Sequence, residues 1–185
     1  MPFRQLATRD PLIVAGIDPG THLLGFGVVG RKGSLMIAVD HGALRAPKDA
    51  GLCERMKVLA RGLRALFAHH KPDVIALEEA FVARNIQSSL RLGEARGMVL
   101  CIAAELDIPV VDYPTARVKV AIAGHGGATK QRVRTAVMRE LRLLEAPDPL
   151  DASDALALAL ALLHDPRMNR RLAAALSVRP RARKR

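Results

Sequence analysis

"IVAGIDPGTHLLGFGVVG", residues 13–30, decides how this chain begins to fold. An apolar run ends on a carboxylate, Asp18; a Pro19-Gly20 turn follows, and a second apolar run starts at once. Two such runs around a tight turn read as paired strands. A carboxylate taken out of water costs several kcal/mol unless something pairs with it, so Asp18 at the end of a buried strand requires a partner. "DPGT" also suits an ordinary turn, with Asp first, Pro second and Gly third.

Working outward, residues 12–18, 25–30 and 35–42 are short apolar runs separated by turn residues, which predicts an antiparallel meander. From 51 to 69, Leu52, Met56, Leu59, Leu63, Leu66 and Phe67 recur at spacings of three and four, the pattern of an amphipathic helix. "PDVIAL" at 72–77 predicts a strand ending in Glu78 and Glu79, a helix follows over 88–106, and "IPVVDY" at 108–113 predicts a fifth strand. Pro114 stands near the start of a short helix, Thr129 can cap a helix running to 144, and Asp151 opens a last helix ending near His164. The order predicts an α/β fold: a five-stranded mixed sheet, meander first and parallel strands after, flanked by helices. A right-handed crossover from the first strand to "PDVIAL" makes them parallel, so their carboxyl ends emerge together. One domain over 12–165 is expected, with an extension at 1–11 and a basic tail at 166–185.

Formal charge is +11, but residues 166–185 hold eight bases and no acid, leaving +3 for the body. Such a tail favours polyanions, nucleic acid foremost, without choosing among them. Cys53 and Cys101 fall within apolar helical patterns and read as small core residues, so a disulfide framework is unsupported. The histidines show no zinc-ligand spacing. The longest uncharged apolar run, "ALALALALL" at 155–163, is far short of the roughly 18 residues of a membrane span. These features predict a cytoplasmic protein that does not enter a membrane.

If the two parallel strands are neighbours, Asp18 and Glu78 or Glu79 face one crevice. Periodicity does not choose between the glutamates, because a strand covered on both sides has no polar face. Asp151 and Asp154, three residues apart, share one face of a helical first turn. Each acid alone also suits turn or cap chemistry. As a set they raise one another's pKa, and a hard divalent cation, Mg²⁺ or Mn²⁺, removes that conflict with all-oxygen ligands.

"GIDPGTHLLGFGVV", "ALEEAFVARNIQSSLRLGEARG", "YPTARVKVAIAGHGGATKQRV" and "DASDALALAL" resemble, in order and spacing, the motifs of the RuvC family of Holliday-junction resolvases. The resemblance covers residues 13 to about 163 and implies an RNase H-like fold, a homodimer, and nicking of two like-polarity strands of a four-way DNA junction. It places the family's catalytic, metal-holding acids on Asp18, Glu78, Asp151 and Asp154, which selects Glu78 over Glu79. It implies two-metal phosphodiester hydrolysis with Mg²⁺, or Mn²⁺ in its place, and cooperation with the RuvA and RuvB branch-migration proteins. It also implies DNA contacts by Lys119, Lys130, Phe81 and Arg84. Solvated lysines and a core-capping Phe81 are the plainer readings of those positions. Gly93 and Gly97 let another backbone approach their helix, either the chain's own sheet or, by resemblance, a second copy. Two rivals stand beside the nuclease. One is a non-catalytic junction- or duplex-binding protein, the other a fragment of an actin-like phosphotransferase, which also opens with D-x-G-T.

Overall fold

The computed structural model describes residues 12–79 and 86–167. Strands β1 (Leu12–Asp18), β2 (Leu23–Lys32) and β3 (Leu35–Arg45) form the meander; α1 (Leu52–His70) leads to β4 (Val74–Glu78). Then come α2 (Ile86–Glu105), β5 (Val110–Tyr113), α3 (Thr115–Ala123), α4 (Lys130–Leu141) and α5 (Leu150–His164). The sheet order is β3-β2-β1-β4-β5, with β1 antiparallel to β2 and parallel to β4, and β4 parallel to β5. This is the five-stranded mixed sheet expected from the sequence.

Two cores lie on opposite faces of the sheet. One joins Ala15, Ile17, Ile75 and Leu77 to α1 and α2 through Leu59, Leu63, Phe67, Val99 and Ile102. The other joins Val14, Val29 and Ala76 to α5, with Val118, Ile122, Val133 and Val137 of α3 and α4 outside it. The "ALALALALL" run is therefore a central helix, buried all round from Ala155 to Leu163, as an all-apolar helix in a globular chain must be.

Its seat is made by glycines. A Cβ at Gly16 would lie 2.9 Å from the Ala159 backbone nitrogen, one at Gly25 2.9 Å from the Asp151 Cβ, and one at Gly27 2.6 Å from the Leu156 nitrogen. Only a bare backbone admits α5 this close, and that approach carries Asp151 and Asp154 to the end of β1.

Several expectations are corrected. Cys53 and Cys101 are exposed, not core residues: each falls on the solvent side of its helix, where a small uncharged thiol is tolerated. Asp151 is not a helix cap. Pro149 holds that position without a side-chain bond, and Asp151 is the second helical residue. Gly93 and Gly97 do not meet the chain's own sheet, because among the described residues nothing lies within 4 Å of where a Cβ would stand on either. Thr129 does cap α4, accepting from Arg132 N at 3.3 Å. The extension at 1–11, the tail from 168 onward, and Phe81 and Arg84 lie outside the described residues.

Candidate active site

Asp18 and Glu78 are the last residues of adjacent parallel strands, one step beyond the rung Ile17↔Leu77. Alternation along β1 and β4 puts both on the α5 face, in step with Gly16 and Ala76, and turns Glu79 to the other side. Glu78, not Glu79, thus shares the crevice with Asp18. That crevice is lined by Asp18, Glu78, Thr115, Lys119, Lys130 and Asp154, with Val118, Val133, Ala157 and Leu158 as its apolar wall. Asp151 is not part of the lining; it packs above Gly25, the residue paired with Asp18 across β1 and β2.

Electrostatics tie the four acids together. Burial foremost, then the charges of Glu78, Asp154 and Asp151, push the Asp18 pKa up to about 8, with Lys130 pulling against them. Lys130 Nζ donates to Asp154 Oδ2 at 2.6 Å, and that bond raises the Lys130 pKa against the opposing effect of burial. Thr115 Oγ1 donates to Glu78 Oε1 at 2.5 Å. Arg96 donates from Nη1 to the Glu78 carbonyl and from Nη2 to Asp112 Oδ1, the latter at 2.7 Å. Lys119 is half-buried at the rim, whereas the Lys130 side chain is mostly exposed.

Thr115 and Arg96 were absent from the sequence reading. Thr115 carried no signal beyond following Pro114. Arg96 did carry one: an arginine on the face shared by Ala95, Val99, Ile102 and Ala103, where an apolar residue belongs.

A model of the RuvC family, crossover junction endodeoxyribonuclease RuvC, matches residues 14–164. The chain belongs to the RuvC family. RuvC of Protochlamydia amoebophila is 40% identical over 151 residues, covering 82% of this chain and 90% of its own. RuvC of Chloroflexus aggregans is 44% identical over 145 residues, covering 78% and 88% respectively. Thermus thermophilus RuvC, solved in complex with a Holliday junction substrate, superposes with TM-score 0.79 at 36% identity, covering 85% of this chain and 96% of that one. The yeast mitochondrial Holliday junction resolvase Ydc2, 13% identical with TM-score 0.60, shares the fold. The fold is the RNase H-like one, and RuvC proteins are divalent-metal-dependent endodeoxyribonucleases.

The RuvC crevice fits such an ion. Its donors are carboxylate oxygens, and the pKa of Asp18 is raised by burial first and then by the charges of Glu78, Asp154 and Asp151, which Lys130 offsets only in part. Among the described residues no three His, Cys, Asp or Glu side chains close into a ready-made cage. Lys130 draws Asp154 to itself and Thr115 draws Glu78, so the carboxylates flank the crevice rather than meet at one point. Among the described residues no helix of this RuvC-family chain is long and apolar enough to cross a membrane.

Proposed function

We propose that the chain is a crossover junction endodeoxyribonuclease, resolving four-way DNA junctions by paired symmetric nicks in recombination and repair. The observation that carries it is the convergence of Asp18, Glu78 and Asp154, from three separate elements, on one crevice with Asp151 beside it. Asp18, Glu78, Asp151 and Asp154 would hold two Mg²⁺ ions, with Mn²⁺ as substitute. Bound there, the ions would lower the pKa of an attacking water and stabilise the departing 3′ oxygen. The chain's own contribution is orientation and charge. Thr115 fixes the Glu78 carboxylate, Lys130 balances Asp154, and Lys119 and Lys130 offer cations to the phosphate of the strand being cut. Phe81 and Arg84 complete the proposed DNA-contacting set.

The test is a synthetic four-way junction against linear duplex, with and without Mg²⁺, with strand ends mapped. Symmetric, metal-dependent nicks confined to the junction are expected; cutting of duplex alone would refute junction selectivity. The two rivals are not favoured. The acids that a non-catalytic binder has no use for are all present, and similarity extends over 96% of a RuvC chain rather than over one lobe of a kinase.

A homodimer is supported by α2, whose outward side presents Ile86, Leu90 and Leu100 to solvent beside the open Gly93 and Gly97. Apolar exposure continuous along one helix marks an interface. Leu90→Glu should therefore convert a dimer to a monomer in light scattering, and an unchanged mass would remove this face from consideration. Cytoplasmic residence and action with RuvA and RuvB follow from the same reading, as does a nuclease domain over 12–165.

The tail carries a separate prediction. Deleting 166–185 removes eight bases and should flatten the dependence of junction affinity on salt without changing the preference for junctions over duplex. An identical salt slope before and after deletion would mean that the tail does not touch DNA.

A further inference from the structure

Among the described residues, Arg96 is the one buried base. It lies in α2 on the face that packs against the sheet, in line with Val99, Ile102 and Ala103, with only a tenth of its side chain exposed. A guanidinium there must spend its donors on something specific, since burying a cation without partners is costly. Its two partners are the Glu78 carbonyl and the Asp112 carboxylate. Glu78 ends β4, past the last rung shared with β1, so Arg96 supplies a donor where the β1 ladder no longer does.

A purely stabilising role explains this poorly. Buried ion pairs gain little over apolar residues of matching volume, and here half of the Asp112 side chain stands in water. An apolar side chain would simply continue the face. What the planar, forked guanidinium adds is direction: it fixes where the main chain of Glu78 lies. Thr115 holds the same residue's carboxylate from the opposite side of the sheet, so Glu78 is gripped at both ends.

We propose that Arg96 is a positioning residue for the nuclease reaction, fixing the Glu78 main chain from the α2 side so that its carboxylate stands beside Asp18. The inference rests on the nuclease reading of the crevice.

The test compares wild type, Arg96→Met, Arg96→Lys and Asp112→Asn. Three quantities are measured: single-turnover cleavage at saturating junction across a Mg²⁺ titration, junction affinity in EDTA, and amide hydrogen exchange at residues 77–79 in EDTA. Arg96→Met should slow cleavage about 10- to 100-fold and raise the Mg²⁺ midpoint while junction affinity stays within about twofold, the split expected of lost orientation rather than lost binding. Exchange at 77–79 should quicken while exchange along residues 14–17 stays as it was. Arg96→Lys should recover part of the rate. Asp112→Asn should stay within about threefold of wild type, because the guanidinium still reaches the Glu78 carbonyl.

Arg96→Met cutting at wild-type rate at every Mg²⁺ concentration would overturn the proposal. So would Asp112→Asn falling as far as Arg96→Met, since the ion pair would then be what matters. Should Arg96→Met not fold, the remaining pair decides: an impaired Arg96→Lys beside a sound Asp112→Asn supports the proposal, and the reverse defeats it. A wild type that leaves junctions uncut refutes the nuclease reading, and unchanged exchange at 77–79 then refutes the grip on Glu78 separately.

Discussion

Asp18→Asn is expected to cut four-way junctions about a thousandfold more slowly than wild type, or not at all, while binding them with nearly the same affinity. The size follows from what the carboxylate holds: transition-state stabilisation by a bound cation is worth several kcal/mol, and about 4 kcal/mol is a factor of about 10³ in rate. Affinity is spared because Asp18 lines the crevice half-buried among other acids and offers no positive charge to a phosphate. Single-turnover cleavage and gel-shift titration on one junction separate the two effects. A variant cutting within tenfold of wild type would remove Asp18 from the reaction.

The same substitution should make the metal-free protein more stable. Asp18 keeps its proton up to about pH 8 in the folded chain but loses it near 3.8 when unfolded. Between those values the folded state binds more protons than the unfolded one, so stability falls as pH rises and levels off above 8. Asparagine is neutral throughout and removes this slope. At pH 8.5 in EDTA the gain is about 2 kcal/mol, once water in the open crevice is allowed for. In a domain of this size that is a rise of about 5 °C in melting temperature. Mg²⁺ should raise the wild-type melting temperature and barely move that of the variant. A variant melting below wild type at pH 8.5 in EDTA would contradict the account of the crevice as a store of unbalanced negative charge.

The sheet and its helices were legible because apolar runs and helical periodicity are direct imprints of burial. Their limits were less so. β2 begins at Leu23 and β3 runs on to Arg45, beyond the apolar stretches that marked them, because the two strands go on pairing with each other to the rung Leu23↔Arg45. Asp40 continues the strand while its carboxylate meets His70 of α1 at 2.8 Å. The acids were legible as candidates for one crevice from the strand ends and the Asp151–Asp154 spacing, and resemblance gave them their catalytic role; no spacing rule relates Asp18 to Asp154, since what joins them is the descent of α5 onto bare glycines. Glu78 against Glu79 could not be resolved by pattern, and the structure resolves it by strand alternation. Arg96 was missed for the converse reason, because a polar side chain on an apolar face reads as noise until its partners are known.

Those glycines support the second large prediction. Gly25→Ala forces a Cβ to within 3 Å of Asp151 atoms, including the Asp151 Cβ, and backbone on both sides must move to admit it. Overpacking of this kind costs about 3 kcal/mol or more, which lowers the melting temperature by about 10 °C. Gly16→Ala, beneath Ala155 and Ala159, should destabilise at least as much. Both should also lose activity. Gly16 lies two residues before Asp18 and beneath Ala155, the residue after Asp154, so Gly16→Ala should cut slowly even when cooled below its melting point. Gly25→Ala lifts the turn that bears Asp151, and a displacement of about 1 Å at a reacting centre costs about a hundredfold. Its cleavage should therefore stay depressed even where circular dichroism shows a native fold. Gly126→Ala is the control: its Cβ would meet Val120 at an ordinary 3.7 Å, and the change should fall within about 0.5 kcal/mol of wild type. If Gly25→Ala instead cut normally when folded, Asp151 would tolerate displacement and could not be holding an ion in the site.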